Sequence, residues 1–250
     1  MNAVVSKIDM STVVADETYV STADWSDDLD CVSRRRALRL HRFDDLDTLL
    51  VSKLEAGFDG DSVEGLSLLL EQVSSDRLQG LKYLVYDFAH PGDGEPAAAE
   101  GFDDLASANA RLILDAPVIS IAWARSYLKG VDLDFALSCS LIVADSDARF
   151  SFEADLTSAV GIYGALAQKL GFVKAERLME NGEALTAIEM QELGLVKHIV
   201  ESGQGFGGAE SYVRQCGRRH NASYSMFRAQ RITAPPVRRQ RVATVSSRRG

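Results

Sequence analysis

Two hydrophobic periods alternate along the chain, and each change of period marks a predicted element. After residue 60, apolar residues recur three and four positions apart behind Asp61 and Ser62, two candidate capping residues, which predicts a helix. The apolar positions of this helix are Val63, Leu66, Leu69, Leu70 and Val73. Residues 81–88 form a short apolar and aromatic run closed by His90-Pro91-Gly92, and they predict a buried strand that enters a loop.

Strands and helices alternate through the rest of the chain. The pattern predicts further strands over 36–42, 118–122, 141–144, 149–152 and 195–200, and further helices over 102–114, 130–137, 161–170, 173–180 and 186–193. The last helix has the clearest local signals, a capping box of Thr186 and Glu189 at its start and Gly194 after its end. Because a helix that joins two strands favours parallel pairing, the sequence predicts an α/β fold with a helical C-terminal region.

Composition is that of a folded globular chain with tails. The 250 residues are 46% hydrophobic and 25% charged, which is unlike a disordered or fibrous protein. The longest charge-free apolar stretch, from Ala116 to Ala124, is far shorter than the ~20 residues of a membrane-spanning helix. Residues 1–10 lack the pattern of a secretion signal, so we expect a cytoplasmic protein without membrane contact.

Charge is distributed unevenly. The net charge is -9, but residues 211–250 hold ten arginines and no acidic residue, which leaves -19 for residues 1–210. We therefore expect an acidic lead-in over 1–33, a core over 34–200, a helical region over 201–234 and a mobile basic tail over 235–250. The basic arm has few aromatic residues and the acidic core repels phosphates, so we expect it to contact acidic protein surface, its own or a partner's, and not nucleic acid.

Cysteines and histidines indicate no metal or disulfide chemistry. Cys31, Cys139 and Cys216 are widely spaced with no C-x-x-C pair, and the four histidines form no H-E-x-x-H motif. Cys139 lies in an apolar run, where packing is its expected role.

Three segments carry a resemblance to a known family. They are Ala116-Pro117-Val118-Ile119, the segment from Leu128 to Asp145, and Leu185-Thr186-Ala187 with Glu189 leading to Gly194-Leu195-Val196. Over roughly residues 80–240 the chain resembles the crotonase (enoyl-CoA hydratase/isomerase) superfamily. Within it, Ala136-Leu137-Ser138-Cys139, Gly203-Gln204-Gly205 and a run from Met226 to Val237 are most similar to the diffusible-signal-factor synthases.

The resemblance implies a spiral of ββα units, assembled as a homotrimer or as a hexamer of two trimers. It also implies an acyl thioester of coenzyme A or acyl-carrier protein as substrate, with no further cofactor. In this family two backbone N–H groups hold the thioester oxygen as it becomes negative, and fixed donors of this kind stabilise such charge strongly.

At the positions of the two N–H donors, this sequence differs from the usual pattern of the family. The glycine-rich turn that supplies one donor retains Gly130, while Val131 takes the donor position, where its N–H can still donate but its β-branched side chain crowds the thioester. The second donor belongs to the loop that begins at His90. Its sequence does not place that donor, and it favours a plain Gly/Pro connection over a functional loop.

Two carboxylates complete the hydratases of the family. The first maps onto Asp134, which is either an acid/base group or an aspartate favoured by a helix N-terminus. The second maps onto Ala154, and its neighbours Glu153 and Asp155 are out of register, since a one-residue shift in extended chain turns a side chain to the opposite face.

Two functions follow from these altered positions. One is a hydratase, dehydratase or thioesterase with a degenerate active site. The other is a crotonase-fold pseudoenzyme that binds or scaffolds through its oligomer and its charged tails. Fold alone does not choose between an enzyme and a binding protein.

Overall fold

The computed structural model describes residues 38–53, 58–75, 77–78, 80–89, 101–153, 156–217, 220–222 and 224–226. The predicted acidic lead-in and basic tail lie outside these residues, as do His90 and Asp155. Within the described part of the chain, no helix is long and apolar enough to cross a membrane.

A six-stranded sheet forms the centre of the molecule. Its strand order is β1-β2-β3-β4-β6-β9, with β1 antiparallel to β2 and every other neighbouring pair parallel. The strands are β1 (Leu38–Phe43), β2 (Thr48–Lys53), β3 (Tyr83–Phe88), β4 (Ile119–Ala124), β6 (Leu141–Asp145) and β9 (Val196–Val200). The predicted parallel pairing and α/β class are confirmed, but the sequence prediction missed β2 entirely.

A second, three-stranded sheet lies beside the first. It contains β5 (Tyr127–Leu128), β7 (Arg149–Ser151) and β8 (Ala184–Thr186), with β7 in the centre. Only β7 of these three was predicted. β5 leads directly into the helix that begins at Gly130, so this small sheet helps to place the start of that helix.

Seven α-helices accompany the strands up to residue 216, and the described residues 220–222 and 224–226 are also helical. They are α1 (Gly60–Ser74), α2 (Phe102–Leu114), α3 (Gly130–Ser138), α4 (Leu156–Leu170), α5 (Phe172–Asn181), α6 (Ala187–Glu192) and α7 (Phe206–Cys216). The bounds of α2 agree with the prediction. The capping box of Thr186 and Glu189 is present at α6, as predicted.

Two helix starts differ from the prediction. Asp59, not Asp61 or Ser62, is the N-cap of α1; its carboxylate accepts from the Ser62 N–H, and the Ser62 hydroxyl accepts from the Asp59 N–H. The pairing is a capping box in which serine replaces the usual glutamate. Helix α4 begins at Leu156, five residues before the predicted start at Gly161.

The large sheet separates two cores. Alternate residues of β3 point to opposite faces: Leu84, Tyr86 and Phe88 join the core under α1, α2 and α3, whereas Tyr83 and Val85 join a smaller core with α7. Cys139 is 1% exposed in the larger core, which confirms its packing role. On the larger core's side, the carboxyl ends of β2 and β3 lie near the start of α3, and this place holds the candidate site.

Candidate functional site

The first turn of α3 offers backbone donors. Gly130 begins the helix at φ +55°, a left-handed conformation that explains why glycine is retained here. The preceding residue, Lys129, does not cap the helix with its side chain. Because the first N–H groups of a helix have no intrahelical acceptor, those of Gly130 and Val131 can serve an anion. Val131 is partly buried against the core, so its side chain borders this turn.

Asp134 lies one turn further along α3 and is buried. It is 6% exposed, and burial raises its pKa from 3.8 to about 6. A helix N-terminus acting alone would lower the pKa of a carboxyl group. At Asp134 the loss of solvent raises the pKa of the carboxyl group by more than a helix N-terminus would lower it. A carboxyl group with this pKa can both take and give a proton near neutral pH.

The backbone of α4 closes one side of this carboxyl group. Gly161 faces it so closely that a Cβ built on the glycine would lie 2.3 Å from Asp134 Oδ2. Gly130 also faces α4, with the Ser158 hydroxyl 3.9 Å from the position of its own Cβ. The start of α3 and Asp134 thus pack against the same helix.

A buried ion pair connects β2 with the first turn of α3. Lys53 Nζ lies 2.5 Å from Asp132 Oδ2, and the two side chains are 3% and 4% exposed. The ammonium group also lies 5.1 Å from the ring centre of Phe58 and 5.8 Å from that of Phe88. Burial raises the pKa of Asp132, while Lys53 opposes that rise by charge and hydrogen bonding. No motif in the sequence indicated this pair.

Glu153, the other predicted carboxylate within the described residues, differs from Asp134 in its exposure to solvent. Glu153 follows β7 and is exposed, and its backbone N–H donates to Ser151 Oγ at 3.3 Å. Asp155 and His90 lie outside the described residues, so the second acid/base group and the second donor stay predictions. Among the described residues, no three His, Cys, Asp or Glu side chains are arranged to hold a metal ion.

A polar network lies on the opposite face of the sheet. Arg125 stacks over Trp123 at 4.4 Å and approaches Asp87 at 3.4 Å and Asp145 at 3.9 Å. Trp123 Nε1 donates to Asp145 Oδ1 at 2.9 Å. Burial raises the pKa of Asp145, and the Trp123 hydrogen bond opposes the rise. The network connects the ends of β3, β4 and β6, and we interpret its hydrogen bonds and ion pairs as structural contacts between these strands.

Helices α4 and α5 expose a group of apolar side chains, which we call the α4–α5 patch. Its members are Val160, Tyr163, Phe172 and Val173, with exposed fractions between 37% and 78%. Ile162 and Leu166 of α4 are buried within the chain. Exposed apolar side chains mark protein contacts where they form one continuous surface.

The sequence of the chain is similar to a known protein family. The model of the enoyl-CoA hydratase/isomerase family matches residues 86–244. The (E)-benzylidenesuccinyl-CoA hydratase of Thauera aromatica is 32% identical over 98 residues, a match that covers 38% of each chain. The chain thus spans well under half the length of that curated relative.

Solved structures share the fold. DspI of Pseudomonas aeruginosa matches with a TM-score of 0.64 at 23% identity, over 78% of this chain and 84% of its own. A monofunctional enoyl-CoA isomerase from M. smegmatis matches with a TM-score of 0.64 at 19% identity, over 79% of this chain and 91% of its own. These likenesses confirm the crotonase fold. Because the family model covers more than half of the sequence, the chain belongs to the enoyl-CoA hydratase/isomerase family.

Proposed function

We propose that the chain acts on an acyl thioester, with the first turn of α3 as the anion site and Asp134 as the acid/base group. The observation that carries this proposal is the buried carboxyl group of pKa about 6 one turn from uncapped helix N–H groups. Enzymes that move protons next to a carbonyl combine these two features, since the N–H groups hold the developing oxyanion while the carboxylate handles the proton.

The proposed chemistry uses few groups. The N–H of Val131 donates to the thioester oxygen, and Asp134 removes a proton from the acyl chain or returns it. Lys53 balances the charge of Asp132, so of the two carboxylates in α3 we assign the acid/base role to Asp134 alone. Hydration or dehydration needs a second acid/base group, which we assign to Glu153 or Asp155.

The relatives support the substrate class. Two of them carry names that specify coenzyme A thioesters, a hydratase and an isomerase. Because the sequence resembles the diffusible-signal-factor synthases, acyl-carrier protein is the second thioester carrier to examine. Both carriers present the same thioester group to the site.

Replacement of Asp134 tests the proposal. Turnover of 2- and 3-enoyl and 3-hydroxyacyl thioesters, on both carriers, is followed by mass spectrometry. Asp134→Asn keeps the shape but cannot ionise, so we expect a loss of about 100-fold or more in kcat. Asp104→Asn, at an exposed carboxylate of α2, serves as the control and should keep full activity. Unchanged turnover in Asp134→Asn would remove Asp134 from the mechanism.

A second function is favoured by Val131 and by the exposure of Glu153. A β-branched side chain at the donor position narrows the approach to the N–H, and Glu153, the described candidate for the second acid/base group, is exposed to solvent. A crotonase-fold binding or scaffolding protein that lacks catalysis is the alternative. Absence of turnover by the unaltered protein with every thioester tested would favour it.

We also propose a homotrimer, or a hexamer built from trimers, with the α4–α5 patch at a subunit contact. Phe172 and Val173 are 70% and 64% exposed in the single chain, which an apolar contact would cover. The basic arm would add contacts with acidic protein surface. Both proposals apply to the enzyme and to the alternative alike.

Light scattering tests the assembly. Phe172→Glu should dissociate it at micromolar concentration, because a charge would be buried in an apolar contact. Leu114→Glu replaces another exposed apolar side chain, at the end of α2, and should leave the assembly unchanged. A 27 kDa monomer for the unaltered chain, or an intact assembly in Phe172→Glu, would contradict this assignment.

A further inference from the structure

We propose that Gly161 is a positioning residue for Asp134: the lack of a side chain at this point of α4 is what allows the carboxyl group to occupy its buried place. The contact itself is a property of the fold. Its consequence for turnover rests on the proposed function, in which Asp134 is the acid/base group.

A side chain at position 161 fits only if the Asp134 carboxyl group moves away from it. A Cβ there would lie 2.3 Å from Asp134 Oδ2 and 2.6 Å from both Oδ1 and Cγ. Real Cβ atoms essentially never approach a non-bonded heavy atom within 3.0 Å. All three atoms of the carboxyl group are involved, so a rotation of the group about its own axis does not relieve the clash. The whole carboxyl group must move.

Backbone conformation gives no other reason for glycine at this position. Gly161 lies in the interior of α4 and is absent from the glycines with positive φ. Glycine inside a helix is less stable than alanine, because it loses more conformational freedom on folding. Helix propensity therefore does not favour glycine at position 161, whereas the carboxyl group of Asp134 gives a packing reason for it.

Gly164 provides the contrast within the same helix. It lies three residues further along α4, and a Cβ built on it would have no atom within 4 Å. The two glycines share a helix and an interior helical position. They differ in whether a carboxyl group faces them.

The close approach also accounts for the environment of the carboxyl group. The backbone of α4 excludes water from that side, and burial is the cause of the raised pKa of Asp134. A methyl group at position 161 would push the carboxyl group off this surface. A displacement of ~1 Å of a catalytic group costs about 100-fold in rate.

A double-mutant cycle on thermal stability tests the contact without any substrate. Gly161→Ala and Gly164→Ala are each made in the unaltered protein and in Asp134→Ala. We expect Gly164→Ala to shift the Tm equally in both backgrounds. We expect Gly161→Ala to be less favourable by about 4 °C or more where Asp134 is present, since contacting residues couple and the added methyl has room only without the carboxyl group.

The outcomes of the cycle are distinct. Equal Tm shifts for Gly161→Ala in the two backgrounds would overturn the proposal. If Gly161→Ala is insoluble, a folded Gly161→Ala/Asp134→Ala protein supports the contact. An insoluble double variant overturns it, because the obstacle at position 161 would then be something other than Asp134.

Titration distinguishes positioning from a purely structural effect. Carbon-13 NMR of the aspartate carboxyl groups, assigned by comparison with Asp134→Asn, reports the pKa of Asp134 directly. We expect about 6 in the unaltered protein and in Gly164→Ala, and a fall toward the ordinary aspartate range in Gly161→Ala. An Asp134 pKa that is the same in Gly161→Ala and the unaltered protein would contradict the proposal.

Kinetics then separates this inference from the proposed function. With a thioester that the protein turns over, Gly161→Ala should lower kcat about 100-fold and change KM little, while Gly164→Ala keeps both. Full turnover by Gly161→Ala would overturn the positioning role. If the unaltered protein turns over no thioester, the proposed function fails, but the stability cycle and the titration still decide whether Gly161 places Asp134.

Discussion

Lys53→Met is expected to lower the free energy of unfolding by about 3–5 kcal/mol. The substitution keeps the apolar stem of the side chain and removes its ammonium group, which lies 2.5 Å from Asp132 Oδ2. Asp132 would remain 4% exposed with its charge no longer balanced by Lys53. For a chain of this size, the loss corresponds to a fall in Tm of about 6–20 °C. Denaturant unfolding followed by circular dichroism measures it.

The matched double variant isolates the pair from its surroundings. Lys53→Met/Asp132→Leu removes both charges and fills the space with apolar atoms beside Phe58 and Phe88. Replacement of a buried pair by apolar side chains is often neutral or stabilising, so most of the loss should be recovered. Lys197→Met, at an exposed lysine, is the control and should change the free energy of unfolding by about 0.5 kcal/mol or less. Additive losses in the double variant would show that the two charges do not act as a pair.

The sequence predicted correctly those elements whose capping or terminating residues lie next to them in the chain. Helix α2 has the predicted bounds because Asp115 and Pro117 follow it directly and stop its period. The capping box of α6 is likewise complete within four residues. Strand β2 has no such signal, since it is a short segment whose partners are set by pairing across the sheet.

Gly161 illustrates why a local reading fails. The sequence prediction began α4 at this glycine, and glycine is a residue that commonly marks a helix boundary. The helix in fact begins five residues earlier, and the glycine is required by Asp134, which is 27 residues away along the chain. Glycine can therefore stand at a position because of a contact with a distant residue, and the sequence alone does not distinguish this from a helix boundary.

The candidate site was predictable only in part for the same reason. Family resemblance placed Gly130, Val131 and Asp134, because these lie in one continuous motif at the start of α3. The Lys53–Asp132 pair joins residues 79 positions apart, and neither residue has a motif around it. Burial of Asp134 also depends on α4, so the sequence alone left open whether Asp134 is an acid/base group or a helix-start aspartate.

Asp134 should also make the protein less stable as pH rises from about 4 to 6. Burial raises its pKa from 3.8 to about 6, so the folded chain holds this proton more tightly than the unfolded chain. Unfolding therefore releases a proton in this interval, and the slope of unfolding free energy against pH is negative there. A rise of about two pKa units, at about 1.4 kcal/mol each, gives a loss of about 3 kcal/mol that is complete above the folded pKa.

Asp134→Asn removes this contribution, because an amide does not ionise. Other carboxyl groups also titrate between pH 4 and 8, so the measured quantity is the difference in unfolding free energy between the unaltered protein and Asp134→Asn, from urea titrations at each pH. We expect the variant to gain about 3 kcal/mol relative to the unaltered protein between pH 4 and pH 7. A difference that stays constant over this interval would mean that Asp134 has an ordinary pKa in the folded chain. The carboxyl group would then have no special proton affinity at neutral pH, and the observation that carries the proposed acid/base role would be lost.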